Sequence, residues 1–376
     1  MDIQTLREQQ KLDAIILFSP GEILAATGHF VDNACLIADN LGITVICPEG
    51  AVPARAAGGS EGAVADPAGV CPEDAPATAA LRWFEYPQCG FDQVQDAQQN
   101  LWAAVQHCLL PHRHIGYVRY TCPAALMTLP LPSARFSDIS CAVAEAMLCK
   151  NEVFFQKYAQ LKQLNIRAYE HIRTAIHAGC SELELSAAVR EAYVKDCDGQ
   201  VLYTGDFLSG PRTCSIGGPA TGRVIRNGDT IIADTLCACE GVYCDTTRSF
   251  FCGEPDRAQR QAYETLCHIL EETALLLRPG TAARDIYQFV SRRLESEGYA
   301  PLPHHAGHGL GYGWYEAPYL IADDTTILKE NMLIALEPGI YIPESFGLRL
   351  ENNYRVTGNG GVDVFCYKQD IQDFII

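Results

Sequence analysis

The chain has 376 residues, of which 48% are hydrophobic and 20% charged, a composition that buries a sizeable core and excludes disorder over most of the length. Its 28 Lys and Arg stand against 46 Asp and Glu, a formal charge of −18 and the wrong sign for neutralising phosphates, so neither nucleic acid nor an anionic membrane is an expected partner. The length leaves room for two domains of ordinary size.

At the N-terminus, Asp2, Arg7, Glu8 and Lys11 precede a short apolar run ending at Phe18, which is not the layout of a secretory signal. No window approaches the ~20 apolar residues of a spanning helix. A cytoplasmic location is therefore expected, with most of the seventeen cysteines free and packed as small hydrophobes. Leu12 to Phe18 reads as a buried strand. Ser19-Pro20 then offers an N-cap followed by proline at the first helical position, with EILAAT behind it. Apolar runs at Ala34 to Ala38 and Ile43 to Cys47 predict further strands and a small α/β domain. Ala51 to Ala80, rich in Ala, Gly and Pro, is expected to be loop without chemistry.

The pattern changes near residue 150. Phe154, Tyr158, Leu161, Leu164, Tyr169, Ile172 and Ile176 recur at helical spacing before Gly179 and predict a long amphipathic helix. Ser181 and Glu184 form a capping box for the next helix. A third is expected from about Arg257 to Leu277, and a fourth capped by Thr281. Thr230 to Phe251 and Met332 to Val356 are β-rich, so this half reads as α+β, helices over a mostly antiparallel sheet.

The chemistry gathers in that half. In IIADTLCACEGVYCDTTRSF two apolar runs flank Glu240-Gly241 and carry one aspartate each. If that pair is the two-residue loop of a hairpin, Asp245 lies opposite Leu236, and Asp234 is its diagonal neighbour on the same face. Two carboxylates so placed repel, and burying them costs several kcal/mol per ion unless a cation sits between them. His308 in HHAGHGLGYG, Glu337 in LIALEPGIY and Glu351 in GLRLENNY add donors of suitable type. Four carboxylates balance two divalent ions, and with one imidazole they form a hard, oxygen-rich set suited to manganese, iron, cobalt or zinc. Cys237, Cys239, Cys244 and Cys252 lack the paired C-x-x-C knuckles of a zinc site and read as core packing.

With intervals of 11, 63, 29 and 14 residues separating Asp234, Asp245, His308, Glu337 and Glu351, the phrases AGHGLG, ALEPGIY and GLRLEN resemble the pita-bread metallohydrolases, in the creatinase, prolidase and aminopeptidase P branch. LDAIILFSPGEILAATG resembles the accessory domain of creatinase-type members. The resemblance implies a creatinase-type α/β domain over residues 1–148 and a pita-bread domain over 149–376. It further implies a homodimer, and two metal ions, manganese first among the candidates, held by the five residues around a bridging water or hydroxide, with Glu337 moving the proton.

Peptidases of this family also carry two histidines outside the metal shell. Alignment puts Gly217 at the upstream position and Tyr315 at the downstream one, and the ten histidines include none between His177 and His268 and none beyond His308. Losing one such donor typically costs ~3 kcal/mol of transition-state binding. Tyr315 either supplies a phenolic donor or fills the space. His304 matches a supporting histidine just upstream of the metal ligand, and His305 receives no role. Arg349 either orients carboxylates or binds an anionic substrate end. Three functions follow: a two-metal hydrolase of the Xaa-Pro peptidase mould acting on a short peptide or small molecule, a relative that hydrolyses a small amidine or amide as creatinase and ectoine hydrolase do, and a peptide-binding pseudoenzyme.

Overall fold

The structure, a computed structural model, describes residues 1–53, 81–87, 94–197 and 201–376. The chain divides into two compact units, Met1–Met147 and Leu148–Ile376. The loop expected over Ala51 to Ala80 falls, from residue 54 on, outside the described residues.

In the first unit α1 (Ile3–Gln9) leads into β1 (Ala14–Leu17), whose four residues are all buried. Ser19 does cap α2 (Pro20–Thr27): its backbone N–H donates to Glu22 at 3.2 Å, and Gly28 ends the helix in the left-handed region. β2 (Cys35–Asp39), β3 (Gly42–Pro48), β4 (Leu81–Tyr86), α3 (Val94–Leu109), β5 (His114–Tyr117), β6 (Arg135–Asp138) and α4 (Ser140–Met147) follow. The sheet runs β4-β3-β2-β1-β5-β6, antiparallel at its centre and parallel toward both edges. Apolar clusters cover both of its faces, which is why its inner strands lack the alternation of a half-exposed sheet.

The second unit opens with α5 (Glu152–Ala175), and the seven residues of the predicted stripe are all buried. α6 (Glu182–Asp196) begins at the Ser181 and Glu184 capping box. β7 (Val201–Ser209), β8 (Thr230–Cys239) and β9 (Val242–Phe251) form a three-stranded antiparallel sheet. Glu240 and Gly241 have φ of 48° and 76°, the positive values that a two-residue hairpin turn needs, and Leu236 pairs with Asp245 as the turn predicts.

α7 (Arg257–Ala274) and α8 (Ala283–Ser296) come next. The expected cap at Thr281 is displaced: Ala282 holds the cap position without a side-chain bond. The Ala283 and Arg284 amides instead donate to the Thr326 and Asp324 carbonyls at 2.9 Å, so the first turn needs no hydroxyl. β10 (Gly307–Gly309), β11 (Glu316–Tyr319), β12 (Leu333–Leu336), β13 (Gly339–Ile342), β14 (Phe346–Arg349), β15 (Asn352–Thr357) and β16 (Gly360–Asp363) form two further antiparallel sheets. This is an α+β unit, as expected.

A buried polar network fixes the hairpin against α5. Asn165 donates to Thr246 at 2.8 Å and accepts from Thr235 at 2.9 Å. Tyr158 donates to Asn353 at 2.7 Å, and Asn353 donates to the Asp245 carbonyl at 2.6 Å. All described cysteines are free, and Cys237 and Cys244 are fully buried partners across β8 and β9. Among the described residues no helix is long and apolar enough to cross a membrane.

Candidate metal centre

A cavity of about 180 Å³ in the second unit is lined by all five expected metal ligands, together with Asp206, Ile216, His304, His305, Trp314, Tyr315 and Arg349. Asp234 comes from β8, Asp245 from β9 and His308 from β10, while Glu337 follows β12 and Glu351 lies between β14 and β15. Backbone bonds join these strand ends: the Glu337 amide donates to Ala306 at 2.9 Å, and the Glu351 amide to Thr247 at 3.1 Å.

Ligand atoms of Asp245, His308 and Glu351 lie within 4.8 Å of one another, and all three residues are buried. His308 Nδ1 is 2.9 Å from the Gly309 carbonyl, which fixes the proton there and leaves Nε2 with a free lone pair. That Nε2 is 3.9 Å from Asp245 and 3.7 Å from Glu337. Thr247 donates to Glu351 at 2.8 Å, and Trp314 Nε1 to Asp245 at 3.1 Å. A second trio that sequence reasoning missed, His304, His305 and Glu337, also brings one ligand atom each within 4.8 Å. His305 Nδ1 is 3.1 Å from Glu337.

Burial pushes the Asp245 and Glu351 carboxyls well above the usual range, with neighbouring carboxylates adding to the effect. Burial raises Asp234 to about 6, against the pull of Arg349 and with a further push from Glu337 and Asp206. Glu337 goes the other way: burial opposes ionisation, but His305, His308 and Arg349 together hold it down to about 2. Buried acids that resist ionising together are a site lacking positive charge, which small hard divalent cations would supply. The donor set fits divalent metal ions.

Among the described residues, Arg349 is the buried cation that lines the cavity with these acids. It donates to Asp234 and to the Ile216 carbonyl at 2.6 Å each, and to Thr247 and the Tyr341 hydroxyl at 3.2 Å each. These bonds set the guanidinium on the Asp234 carboxylate. His304 has both nitrogens engaged, at 2.7 Å to the His305 carbonyl and 2.8 Å to the Tyr341 hydroxyl, and burial lowers it to about 4. Tyr315 is 44% exposed, with its ring 4.7 Å from that of His308. Gly217 does not line the cavity; its neighbour Ile216 does, and the atom nearest a Cβ built on Gly217 is the Asp206 carboxylate at 2.4 Å.

Residues 156–358 match the model of metallopeptidase family M24. Over 188 residues the chain is 31% identical to the Xaa-Pro dipeptidase of Pyrococcus furiosus, covering 49% of this chain and 53% of that protein. It is 26% identical over 288 residues to the uncharacterized peptidase YqhT of Bacillus subtilis, covering 76% and 80%. The chain thus spans about half the length of the Pyrococcus relative in that alignment. Among solved structures, the Xaa-Pro dipeptidase from Bacillus anthracis superimposes with a TM-score of 0.80 at 21% identity, covering 100% of this chain and 99% of that one. The prolidase from Pyrococcus furiosus gives 0.74 at 20%, covering 97% and 99%. These likenesses establish the pita-bread fold with its N-terminal unit.

Proposed function

The chain belongs to metallopeptidase family M24, and from that premise we propose that it is a two-metal hydrolase cleaving a C–N bond in a short peptide or small amide. The observation that carries the reading is the buried cluster of Asp245, His308 and Glu351, whose carboxyls cannot ionise together without added positive charge. The ions, manganese first among the candidates, would polarise the scissile carbonyl and activate water when bound. Asp234, Asp245, His308, Glu337 and Glu351 would hold them. Arg349 keeps Asp234 oriented, Glu337 carries the proton toward the leaving nitrogen, His304 supports the wall through Tyr341, and Tyr315 offers a phenol at the mouth. The same reading places the creatinase-type domain at residues 1–148 and the catalytic domain at 149–376, as a cytoplasmic homodimer.

Xaa-Pro dipeptides are the substrate class that the relatives' names suggest. A specialist for small amides or amidines is the second reading, favoured by one observation: among the described residues the imidazoles lining the cavity are His304, His305 and His308, and Gly217 and Tyr315 stand where the two further peptidase histidines would. The test is manganese content and hydrolysis of Ala-Pro, Met-Pro and small amides by protein purified without chelator. The expected result is bound metal, slow dipeptide turnover, and loss of all hydrolysis in Asp245→Ala. Robust Ala-Pro cleavage would refute the specialist, and a metal-free protein indifferent to Asp245→Ala would leave peptide binding as the function.

A further inference from the structure

Hydrolysis as proposed gives no task to one bond in the cavity, the bond that Trp314 makes to a metal ligand. Its indole Nε1 donates to Asp245 Oδ2 at 3.1 Å. The same oxygen lies 3.9 Å from His308 Nε2, so the atom that the indole holds is the one facing the imidazole. A carboxylate oxygen carries two lone pairs, and one of them stays open to an ion between Asp245 and His308. The Trp314 residue itself is 54% exposed. A side chain left half in water gains little from burial, so packing does not explain its place at the ligand.

The backbone behind the indole is fixed at several points. The Tyr243 amide, on the same strand β9 as Asp245, donates to the Gly311 carbonyl at 3.0 Å. Lys150 is buried and donates to Glu316 at 2.8 Å and to the Leu148 carbonyl at 3.2 Å, while Glu316 in turn accepts from the Gly313 amide at 2.5 Å. The Lys150 ammonium also lies 5.4 Å from the centre of the Tyr312 ring. Gly311 makes room for this clamp, since a Cβ there would be 2.1 Å from Lys150 Cε. Residues 311–316 are thereby tied both to the hairpin and to Lys150, and they carry the indole to Asp245.

We propose that Trp314 is a positioning residue of the metal centre, whose indole N–H fixes the Asp245 carboxylate while residues 311–316, clamped by Lys150, hold the indole in place. The proposal rests on the two-metal reading and adds to it a residue outside the ligand set. Indole suits the task because it is a donor only. It cannot ligate the ion, and it neither gains nor loses a proton near neutral pH. Outer partners that orient ligating groups are worth about 10- to 100-fold in metal affinity.

The test is isothermal titration of the metal-free full chain with manganese, for wild type, for Trp314→Phe, and for the chain with benzothienylalanine at position 314, which keeps the shape of the indole and replaces its N–H by sulfur. Both altered chains are expected to bind manganese about tenfold or more weakly at one site at least, with the unfolding temperature in EDTA unchanged. Fluorescence gives a second readout. The other two tryptophans, Trp83 and Trp102, belong to the first unit, so manganese should quench Trp314 emission along the calorimetric isotherm, and Trp314→Phe should abolish that change. Manganese affinity of the benzothienylalanine chain equal to that of wild type overturns the proposal, as does tighter binding, which would mean that metal has to displace the indole. A fall in unfolding temperature without a fall in affinity would make Trp314 a packing residue and also overturn it. These outcomes leave the hydrolase reading standing. A wild type that binds no manganese overturns that reading and takes this proposal with it.

Discussion

Replacing Arg349 by Met tests the charge balance of the centre directly. The guanidinium is 2% exposed and holds Asp234 at 2.6 Å, with Glu337 3.9 Å from its Nε. Removing one partner of a buried pair costs about 3–5 kcal/mol, because the other charge stays behind uncompensated. The bonds to Ile216, Thr247 and Tyr341 are lost whether or not metal is present, at about 1 kcal/mol each. Bound manganese would supply to Asp234 the charge that Arg349 no longer gives, so only the pairing part of the loss is rescued. The difference between the two conditions should be about 3–5 kcal/mol, or roughly 6–20 °C in Tm for a unit of this size. The assay is thermal unfolding at pH 7.5 of wild type and Arg349→Met, each in EDTA and in excess manganese, following the transition that manganese shifts. An equal drop in both conditions would mean that Arg349 serves packing and hydrogen bonding alone, and the charge argument for the metal pair would fail.

Further outcomes follow from the same geometry. Asp234, raised from its ordinary 3.8 to about 6, and Asp245 and Glu351, also raised by burial, hold extra protons in the folded state. Their contribution to metal-free stability is therefore fully present below the ordinary carboxylate range and is lost as pH rises through about 6 and beyond. Thermal scans in EDTA should show stability falling from pH 5 to pH 8, and the gain on adding manganese growing over that window, because the metal binds ionised ligands; a gain independent of pH would contradict this. Glu337→Gln keeps the shape of the cavity but cannot carry a proton or a full negative charge, and should lower kcat at least 100-fold with the far-UV circular dichroism unchanged. Tyr315→Phe should lower kcat about 10- to 100-fold with manganese binding intact if the phenol donates to the developing oxyanion, and unchanged kinetics would reduce Tyr315 to a filler of space. Asn165→Leu, which removes the acceptor of the buried Thr235 and Tyr193 hydroxyls and the donor to Thr246 behind the hairpin, should cost about 2–4 kcal/mol in urea unfolding.

What was legible in the sequence was whatever a local signal fixed. A two-residue turn at Glu240-Gly241 determines register completely, so the face shared by Asp234 and Asp245 could be read before any coordinates. The stripe of α5 and the Ser181 cap were legible for the same reason, each being set within one or two turns of helix. The cap of α8 was misplaced because its first amides are satisfied by Asp324 and Thr326, some forty residues away and invisible to a local reading.

Asp206 and His305 show where such reading stops. β7 returns to β8 through the long segment from Gly210 to Asp229, and no turn of that length specifies which residue of β7 faces Asp234. A one-residue slip would send Asp206 to the opposite face, so its place in the cavity depends on packing that the sequence of β7 does not encode by itself. His304 and His305 pose the same difficulty in miniature, since neighbouring side chains point in different directions: one meets Tyr341, the other Glu337. The HH doublet just ahead of His308 was the available signal, and it gave His304 a supporting place and His305 none. Long-range pairing thus places Asp206 and His305, whereas the expected metal ligands lie in or beside elements that the sequence marks on its own.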